Sequence, residues 1–385
     1  MPQNCLPLVI LLFIAAFWPS GNAQEEAKIK LLFVGDIMMH GPQLESARID
    51  KSDQYDFNTS FEIIRPLIQK ADLAFGNLEL TLPGHPPYRG WPSFRAPDTL
   101  ATVLAQTGFD VITTANNHSN DGGTDGVIHT AEMLRKAGLY HTGTFPDTTT
   151  RKATYPLLIY KNGFRLAILN YTYGTDKKRD YPPTFVNKID KHLIQEDICD
   201  ARSLSPDFVI AIMHWGKEYK LLPAKAEEQL AEAMLGWGVD LIVGGHPHVI
   251  QPIRLYESPE KNKKLVAYSL GNFISNQQQP DTEGGVILEI ELTKNKKQQT
   301  QISDHSFSTV YRYIQKKKNG EKTFYCIPIT PYEHNTFLLP EFKYRERAKM
   351  LAFAEKFRQH LQATSDCPER KYRIKPKEGI TSLFY

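Results

Sequence analysis

Several short apolar segments of this chain end in residues that can bind a metal ion or carry a proton. The segments are LLFVG, DLAFG, DVITTAN, DFVIAIM and DLIVGG. The residues at their ends are Asp36, Asn77 with Glu79, Asn117 with His118, His214, and His246 with His248. Runs rich in Val, Ile, Leu and Phe predict buried strands of a layered α/β sheet, which binds its ligands at the carboxyl ends of its strands. We therefore expect these ends to converge on one site.

The mixture of carboxylate, amide and imidazole groups at these ends indicates a class of metal. Such ligands suit divalent ions such as Mn, Fe or Zn. Two such ions hold a hydroxide and clamp the oxygens of a phosphoryl group or carbonyl, while a nearby His protonates the leaving group. The alternatives are structural, since a lone His is more often a hydrogen-bonded core residue. The polar segment 116–123 is also typical of a turn stabilised by Asn and Asp side chains.

The elements that must position these residues alternate between strand and helix over residues 29–291, which indicates α/β layering. Helices are predicted over 61–70, 97–107, 125–137 and 224–237. The last two are followed by Gly138 and Gly238, and glycine is favoured just past a helix end. Asn162 and Gly163 join two β-rich runs and predict a hairpin. With two further β runs, KLVAYSLGNF and GGVILEIEL, the predicted fold class is α/β, a four-layer α/β/β/α sandwich with mixed sheets.

Composition and charge exclude some functions. The chain has 385 residues, of which 41% are hydrophobic, so it can bury a sizeable core and is not an intrinsically disordered protein. Its 46 basic and 43 acidic residues leave a net charge of +3, which produces no strong field to attract nucleic acid. We therefore predict no nucleic-acid partner.

Residues 1–23 resemble a secretory signal peptide. An apolar core from Leu6 to Trp18 is followed by Pro19 and by small residues around Ala23, although no Lys or Arg precedes the core. The core is short for a bilayer of about 30 Å. We expect an exported protein in the periplasm or at the cell surface, with an uncleaved membrane anchor as the alternative.

Beyond the signal peptide, we predict one α/β domain over 24–293 and a small β/α extension over 294–385. In the extension, β-like stretches over 306–314 and 322–329 precede a helical run over 341–361. The exported chain keeps three widely spaced cysteines, which are Cys199, Cys326 and Cys367. Three such cysteines form at most one disulfide and no CxxC metal site.

The order of the motifs resembles that of a known family. GD, GNLE, NNH, HWGKEY, GGHPHVIQP and SLGNF follow one another as in the CapA family of poly-γ-glutamate capsule biosynthesis proteins, over about residues 29–290. That family is similar in fold to the calcineurin-like metallophosphoesterases, whose two-metal sites use GD, a second GD, GNH, a lone His and GHxH in that order. The resemblance implies a metallophosphoesterase-like fold, one or two divalent metal ions, and an anionic polymer such as poly-γ-glutamate as partner. It also makes a membrane synthesis complex a candidate partner.

The resemblance implies a role for each strand-end residue. Asp36 and His248 would bind a first metal, Glu79 would bridge to a second, and Asn117, His214 and His246 would complete the second. His118 would be the general acid. Two positions depart from the phosphoesterase pattern: Met38 stands where a His is usual, and Glu79 replaces an Asp, which moves the carboxylate by about 1.5 Å. A single metal ion, or none, remains an alternative at this stage.

A second set of residues is expected to bind substrate or to support the ligands. It consists of His40, Asn77, Arg95, Asp121, Glu218 and Asn272. Arg95 would meet an anionic substrate or form a surface salt bridge, and Glu218 would orient a ligand or remain solvated. The aromatic residues near these motifs line a cleft or pack in the core. They are Trp91, Tyr171, Tyr173, Trp215 and Tyr219.

Three functions fit these residues. The first is an exported hydrolase or transferase that acts on poly-γ-glutamate or a capsule-like anionic polymer. The second is a non-catalytic binding or scaffold subunit of an envelope synthesis complex, with a degenerate metal site, which Met38 favours. The third is a secreted phosphoesterase.

Overall fold

Two large β-sheets face each other in this protein, whose computed structural model describes residues 27–50, 52–257, 262–333 and 344–372. The predicted signal peptide over 1–23 lies outside these residues. Within them, no helix combines the length and the apolar character needed to cross a membrane.

The strands are numbered along the chain. They are β1 (Lys28–Ile37), β2 (Leu73–Leu78), β3 (Val111–Thr113), β4 (Tyr140–Thr142), β5 (Thr144–Phe145), β6 (Leu157–Lys161), β7 (Phe164–Thr172), β8 (Phe185–Val186), β9 (Phe208–His214), β10 (Leu241–Gly245), β11 (Ile253–Glu257), β12 (Lys263–Ala267), β13 (Asn272–Ile274), β14 (Gly284–Lys294), β15 (Thr300–Lys316) and β16 (Lys322–Pro328). The first sheet has the order β16-β15-β14-β1-β2-β3-β4, with β13 paired to β1, and the second has the order β11-β12-β10-β9-β7-β6. Strands β5 and β8 form a separate ribbon. Both large sheets mix parallel and antiparallel pairs.

The helices lie between these strands. They are α1 (Gly41–Ala47), α2 (Asn58–Phe61), α3 (Arg65–Ile68), α4 (Thr99–Thr107), α5 (Gly123–Lys136), α6 (Thr148–Thr154), α7 (Lys191–Ser203), α8 (Lys225–Trp237) and α9 (Tyr344–Thr364), with a short 3-10 helix over Thr330–Tyr332. The Gly residues predicted to stop α5 and α8 have positive φ angles, 81° at Gly138 and 122° at Gly238. These two helix ends are therefore confirmed.

Three apolar cores separate four layers. The inner faces of the two sheets share one core, in which Phe33 of β1 packs in the same cluster as Ile210 and Val243 of the second sheet. The adjacent residue of β1, Leu32, points to the opposite face and joins the core beneath α1 to α5. Helices α7 and α8 cover the outer face of the second sheet. The predicted α/β/β/α sandwich is confirmed by these layers, and burial on both faces explains why the strands read as continuous apolar runs.

Two predicted elements differ in the structure. The helix predicted over 61–70 is interrupted, because Pro66 has no amide hydrogen and its ring cannot follow a preceding helical turn. The run KLVAYSLGNF is divided between sheets, since β12 belongs to the second and β13 to the first. The chain crosses at Gly271, whose φ is 71°, and a Cβ on Gly35 would lie 1.9 Å from the Gly271 carbonyl oxygen. Only glycine allows so close an approach.

The residues after 293 continue the first sheet. Strands β15 and β16 pair antiparallel beyond β14, as the stretches 306–314 and 322–329 predicted. Helix α9 places Phe353 and Phe357 in the core between the sheets. The boundary between 24–293 and 294–385 stays a prediction. The three cysteines beyond the predicted signal peptide are all free. Cys199 is exposed, whereas Cys326 and Cys367 are buried.

Candidate metal centre

The carboxyl ends of strands from both sheets meet at one edge of the sandwich. Parallel pairing puts Asp36 of β1 opposite Asn77 of β2, and Gly245 of β10 opposite His214 of β9. The backbone N–H of His246 donates to Asp36 Oδ2 at 3.2 Å and so joins the two sheets. All the strand-end residues are buried, namely Asp36, Asn77, Glu79, Asn117, His118, His214, His246 and His248. The structure therefore brings all the predicted strand ends together.

Asp36 is held as an anion by groups of both sheets. Asn77 Nδ2 donates to its Oδ1 at 2.8 Å, and His248 Nδ1 lies 3.2 Å from its Oδ2. Burial by itself would raise the pKa of Asp36, but the hydrogen bond from His248 and the charges of His214 and His248 outweigh burial and lower that pKa. Asp36 is thus in the ionised form that a metal ligand requires.

Glu79 is the group of the site that most needs a cation beside it. Both of its carboxyl oxygens are buried, and neither has a hydrogen-bond partner among the residues that the structure describes. Its Oε1 lies 3.6 Å from His214 Nε2 and 3.7 Å from His248 Nε2. Burial, followed by the negative charges of Asp36 and Glu218, raises the pKa of Glu79 well above its usual value. A buried carboxylate in such surroundings is costly unless a cation lies beside it.

His214 lies at the end of β9 between two amide side chains. Its Nδ1 is 3.3 Å from Asn77 Nδ2, and its Nε2 is 2.7 Å from Asn117 Oδ1. Because the Asn77 amide nitrogen is a donor, Nδ1 accepts and Nε2 donates to Asn117, which assigns the tautomer. Burial lowers the pKa of His214 well below its ordinary value, so the imidazole is neutral. Because His214 Nε2 and Asn117 Oδ1 are only 2.7 Å apart, the two side chains are close enough to contact one ion.

His248 is oriented by Asn272. Asn272 Nδ2 donates to Gln277 Oε1 at 2.8 Å and to the Thr282 carbonyl at 3.0 Å, which turns its Oδ1 toward the imidazole. His248 Nδ1 donates to that Oδ1 at 3.1 Å. The lone pair of Nε2 is then directed to the side of Glu79. An imidazole whose other nitrogen is held in this way is a typical metal ligand.

The loop after β10 turns two imidazoles to the same side. His246 and His248 have positive φ angles of 94° and 57°, whereas an extended segment would point them to opposite faces. His246 Nδ1 is buried without a hydrogen-bond partner in the described part of the chain. Burial lowers the pKa of His246 to about 3, so this imidazole is also neutral. Strained backbone of this kind is typical of ligand sites.

These groups form two overlapping sets of potential metal ligands. Asp36, Glu79 and His214 offer atoms within 4.8 Å of one another, and so do Glu79, His246 and His248. Glu79 belongs to both sets, as a bridging ligand would. The sets pair His214 with Asp36 and His248 with His246, whereas the family resemblance implies that Asp36 shares a metal with His248, and His214 with His246. The role of each ligand stays a prediction.

His118 is held beside this cluster by two carboxylates. Its Nδ1 lies 2.8 Å from Asp121 Oδ2, which also accepts the Phe94 backbone N–H at 2.5 Å. Its Nε2 lies 3.6 Å from Asp176 Oδ2. The ring of Phe94 packs edge-on against the imidazole, with 4.6 Å between the ring centroids. Asp121 therefore fixes the orientation of His118 and leaves Nε2 toward the mouth of the site.

A comparison with protein families decides what kind of protein carries this cluster. The family described as bacterial capsule synthesis protein PGA_cap matches residues 30–277, which contain every strand-end residue. This chain belongs to that family. The resemblance to the CapA family that the motif order indicated is thereby confirmed.

Individual relatives agree with the family assignment. The capsule biosynthesis protein CapA of Bacillus anthracis is 28% identical over 309 residues, which cover 75% of this chain and 72% of that protein. The PGA biosynthesis protein CapA of Bacillus subtilis strain 168 is 29% identical over 305 residues, covering 75% of this chain and 76% of that protein. Both names place those relatives in capsule or PGA synthesis.

Solved structures are more distant. The NAD nucleotidase of Haemophilus influenzae has a TM-score of 0.47 at 14% identity and covers 86% of this chain and 63% of its own. The calcineurin-like phosphoesterase YfkN of Bacillus subtilis has a TM-score of 0.44 at 15% identity and covers 74% of this chain and 90% of its own. At these TM-scores the likeness carries no weight for function, and the architecture rests on the strand order given above.

Members of the second predicted set lie at different distances from the cluster. Asn77, Asp121 and Asn272 contact Asp36, His118 and His248 respectively, as described above. Glu218 Oε1 lies 3.9 Å from His248 Nε2, and its side chain is 44% exposed. These residues can support the ligands or meet a substrate.

His40 and Arg95 do not reach the ligands in the described contacts. His40 Nδ1 accepts the Asn276 backbone N–H at 3.1 Å and so stabilises a neighbouring loop, and burial lowers the pKa of His40 to about 4. The backbone of Arg95 pairs with Arg89, and its Nε is buried without a described partner. A role of either residue in binding substrate or supporting the ligands stays a prediction.

Met38 and two of the aromatic residues belong to the core. Met38 is 1% exposed and packs in the apolar cluster beneath α1 to α5. Tyr171 and Trp215 pack in the core beneath α7 and α8. In contrast, Tyr173 lies beside the imidazoles, with its ring centroid 4.5 Å from that of His246. The cluster is thus built without a ligand from position 38.

Two residues of the site, Asn116 and Asp176, were not predicted from the motifs. Asn116 Nδ2 donates to Asn77 Oδ1 at 3.1 Å, and its Oδ1 accepts the His118 backbone N–H at 3.1 Å, so it joins two of the strand ends. The doubled Asn in NNH was a signal for it. Asp176 faces His118 from a loop in which no motif marked it.

We expect Gly245→Ala to destabilise the protein and to disturb the candidate metal centre. A Cβ at this position would lie 2.7 Å from Asp36 Oδ1, so the carboxylate would have to move. Overpacking of this kind costs about 1–3 kcal/mol in the free energy of unfolding. Chemical denaturation and metal analysis measure the two effects.

Gly236→Ala on α8 is the matched control. A Cβ there meets nothing within 4 Å, and alanine is the better helix former by up to about 1 kcal/mol. The control should unfold at the same or a higher denaturant concentration. A Gly245→Ala protein with the stability and metal content of the wild type would contradict the prediction.

Proposed function

We propose that this member of the capsule synthesis family is an exported, metal-dependent hydrolase or transferase that acts on poly-γ-glutamate or a capsule-like anionic polymer. One observation carries the proposal. Glu79 is buried with both oxygens unpartnered in the described structure, beside the imidazoles of His214 and His248 at the strand ends of the second sheet. No protein group described around this carboxylate compensates its charge, whereas a bound cation would do so.

The donor atoms fit one or two ions of Mn, Fe or Zn. Two carboxylates, one amide oxygen and three imidazoles form a set without thiolates, which such ions accept. The residues that would hold them are Asp36, Glu79, Asn117, His214, His246 and His248. When bound, the ions would supply a polarised hydroxide and stabilise negative charge on the oxygens of the reacting group.

The surrounding residues would then position the groups and move a proton. Asn77 and Asn116 hold Asp36 and the NNH segment in register through hydrogen bonds of 2.8 and 3.1 Å. Asp121 holds Nδ1 of His118, so that Nε2 can deliver a proton to the leaving group. These roles require the bond of the polymer to lie between His118 and the ligand cluster.

A second function, a non-catalytic scaffold of an envelope synthesis complex, is favoured by Met38. Its thioether is packed in the core where the phosphoesterase pattern has a ligand. In a deletion strain, complementation by ligand-site variants that lack activity would support the scaffold and contradict the enzyme.

We expect the purified wild-type protein to contain one or two equivalents of Mn, Fe or Zn. Elemental analysis of protein prepared without chelator measures this, and an anomalous-scattering map counts the ions. His246→Ala removes an imidazole whose Nδ1 has no hydrogen-bond partner among the described residues, and it should lower the metal content. The control is His129→Gln, which should leave the metal content unchanged. His129 lies on α5, and its imidazole is paired with Asp98 at 2.8 Å.

The same preparation tests the substrate. The chain length of poly-γ-glutamate should fall, or change by transfer, with the metal-loaded protein and not with the His246→Ala variant. Activity on phosphomonoesters or phosphodiesters alone would indicate the secreted phosphoesterase. The enzymatic proposal would be refuted if the protein bound no metal and the His246→Ala variant kept the activity of the wild type. N-terminal sequencing of the exported protein, expected to begin near Gln24, tests the signal peptide.

A further inference from the structure

Two neighbouring loops border the metal centre. The β7 loop (173–184) follows β7, and the β9 loop (215–224) follows β9. The two strands are parallel neighbours with Thr172 opposite His214, and Tyr173 N–H donates to the His214 carbonyl at 2.9 Å. The loops therefore leave the sheet side by side, directly over the imidazoles.

Each loop turns one carboxylate inward. Asp176 Oδ2 of the β7 loop lies 3.6 Å from His118 Nε2, and Glu218 Oε1 of the β9 loop lies 3.9 Å from His248 Nε2. Their side chains are 43% and 44% exposed, so both face the opening of the site as well as the imidazoles. The mouth of the metal centre is acidic.

The same loops direct basic residues outward. Lys178 and Arg179 of the β7 loop and Lys217 of the β9 loop are exposed. In the described part of the chain none of them forms an ion pair with a carboxylate, whereas the nearby Lys188 is paired with Asp180 at 2.5 Å. The guanidinium of Arg179 lies 5.7 Å from the centroid of Tyr181. The rim around the acidic mouth is therefore basic.

The β7 loop is anchored to the segment that carries His118. Buried Asn120 places its Nδ2 between 3.1 and 3.3 Å from Thr175 Oγ1 and the carbonyls of Lys177 and Arg179. Lys177 Nζ donates to the Asp121 carbonyl at 2.6 Å, and Asp176 N–H donates to the Asn117 carbonyl at 2.8 Å. Three residues of extended chain span about 10 Å, so the exposed cations remain within reach of His118.

We propose that Lys178, Arg179 and Lys217 bind carboxylates of an anionic polymer, while Asp176 and Glu218 repel those carboxylates from the mouth. Attraction at the rim and repulsion at the mouth place the uncharged linkage of the polymer over the metal centre. Each exposed ion pair is weak by itself, but a polymer makes several pairs at once. The inference rests on the proposed function, because it assigns the residues that select and align its substrate.

The test is direct binding of fluorescently labelled poly-γ-glutamate at two salt concentrations, without any assay of turnover. We expect the double variant Lys178→Glu, Arg179→Glu to bind at least about tenfold more weakly at low salt, and Lys217→Glu to weaken binding to a smaller extent. The affinity of the wild type should fall with salt more steeply than that of the double variant, because its rim pairs are screened. Metal content and thermal unfolding should be unchanged, which excludes misfolding.

The matched control is the double variant Lys296→Glu, Lys297→Glu. These residues lie in the turn between β14 and β15. Lys28 pairs with Thr293, so this turn is beside the start of β1, whereas Asp36 is near the other end of β1. The control makes the same change of net charge and should bind as the wild type does. Poly-γ-glutamate with amidated carboxylates is the ligand control, and its binding should be weak and insensitive to both double variants.

The outcomes separate this inference from the proposed function. If the wild type binds the polymer and the Lys178, Arg179 variant binds equally well, the rim assignment is wrong and the proposed function stands. If both double variants lose affinity equally, the effect is one of net charge and the rim assignment is again wrong. If the wild type does not bind the polymer, the proposed substrate is wrong and the inference falls with it.

Discussion

Replacing Glu79 by glutamine is expected to stabilise the metal-free protein and to abolish the stabilisation that divalent ions give the wild type. This buried carboxyl group has no hydrogen-bond partner among the described residues, and burial and the charge of Asp36 raise its pKa. Glutamine keeps the shape of the side chain and is neutral at every pH, so the folded protein no longer has to bury a charge or bind a proton at this position. Relief of an uncompensated buried group is worth on the order of 1–3 kcal/mol, which corresponds to a rise of a few °C in the apparent Tm.

Added metal should stabilise the wild type and not the variant. An ion at about a hundred times its Kd stabilises the folded wild type by about 2.7 kcal/mol, because it binds only the folded state. The neutral amide in Glu79→Gln would be a poor bridging ligand, so the variant should gain little. Thermal unfolding with chelator and with added Mn²⁺ or Zn²⁺ gives the four values needed.

An exposed carboxyl group supplies the control. Glu232→Gln on the outer surface of α8 makes the same chemical change and should leave both Tm values unaltered. If Glu79→Gln is less stable than the wild type in chelator, or gains as much from the metal, Glu79 is not a buried metal ligand.

Replacing His118 by asparagine is expected to lower the rate of the proposed polymer cleavage by about 10²–10⁴-fold while the metal content stays constant. The reason is geometric. His118 is held through Nδ1 by Asp121, whereas the two sets of potential ligands consist of Asp36, Glu79, the His at the end of β9 and the two His after β10. Its role is therefore separable from metal binding, in contrast to that of His246.

Asp121→Asn should reduce the rate in the same direction and to a lesser extent, because it loosens the orientation of His118. His129→Gln again serves as the control, since it changes a second pair of His and Asp outside the site. Rates of polymer cleavage together with elemental analysis give the result. Loss of metal in His118→Asn would make this residue a ligand, and full retention of activity would exclude it as the general acid.

Much of the architecture was predictable from local chemistry. Apolar runs buried on both faces predicted the strands, and Gly138 and Gly238 predicted where two helices end. Asn162 and Gly163 predicted the hairpin of β6 and β7, which the structure confirms. Local patterns failed where a single residue changes the path of the chain, as at Pro66 and at Gly271.

The candidate site was predictable as a set of residues and not as an arrangement. Each ligand type follows an apolar strand, and the order of the motifs identified the family. Which imidazole pairs with which carboxylate could not be predicted, because His246 and His248 face the cluster only through positive φ angles. Sequence spacing contains no signal for such angles at non-glycine residues.

Strand periodicity and motif order are local properties, so the fold class, the family and the kinds of group at the strand ends could be predicted from the amino acids. Three further features are visible only in the folded chain: Glu79 lacks a partner among the described residues, Met38 is a core residue, and Asp176 and Glu218 face the imidazoles. These features depend on contacts between residues that are distant along the chain, or on the face of the sheet on which a side chain lies. Burial and hydrogen bonding are set by such contacts, and so is the chemistry of the site.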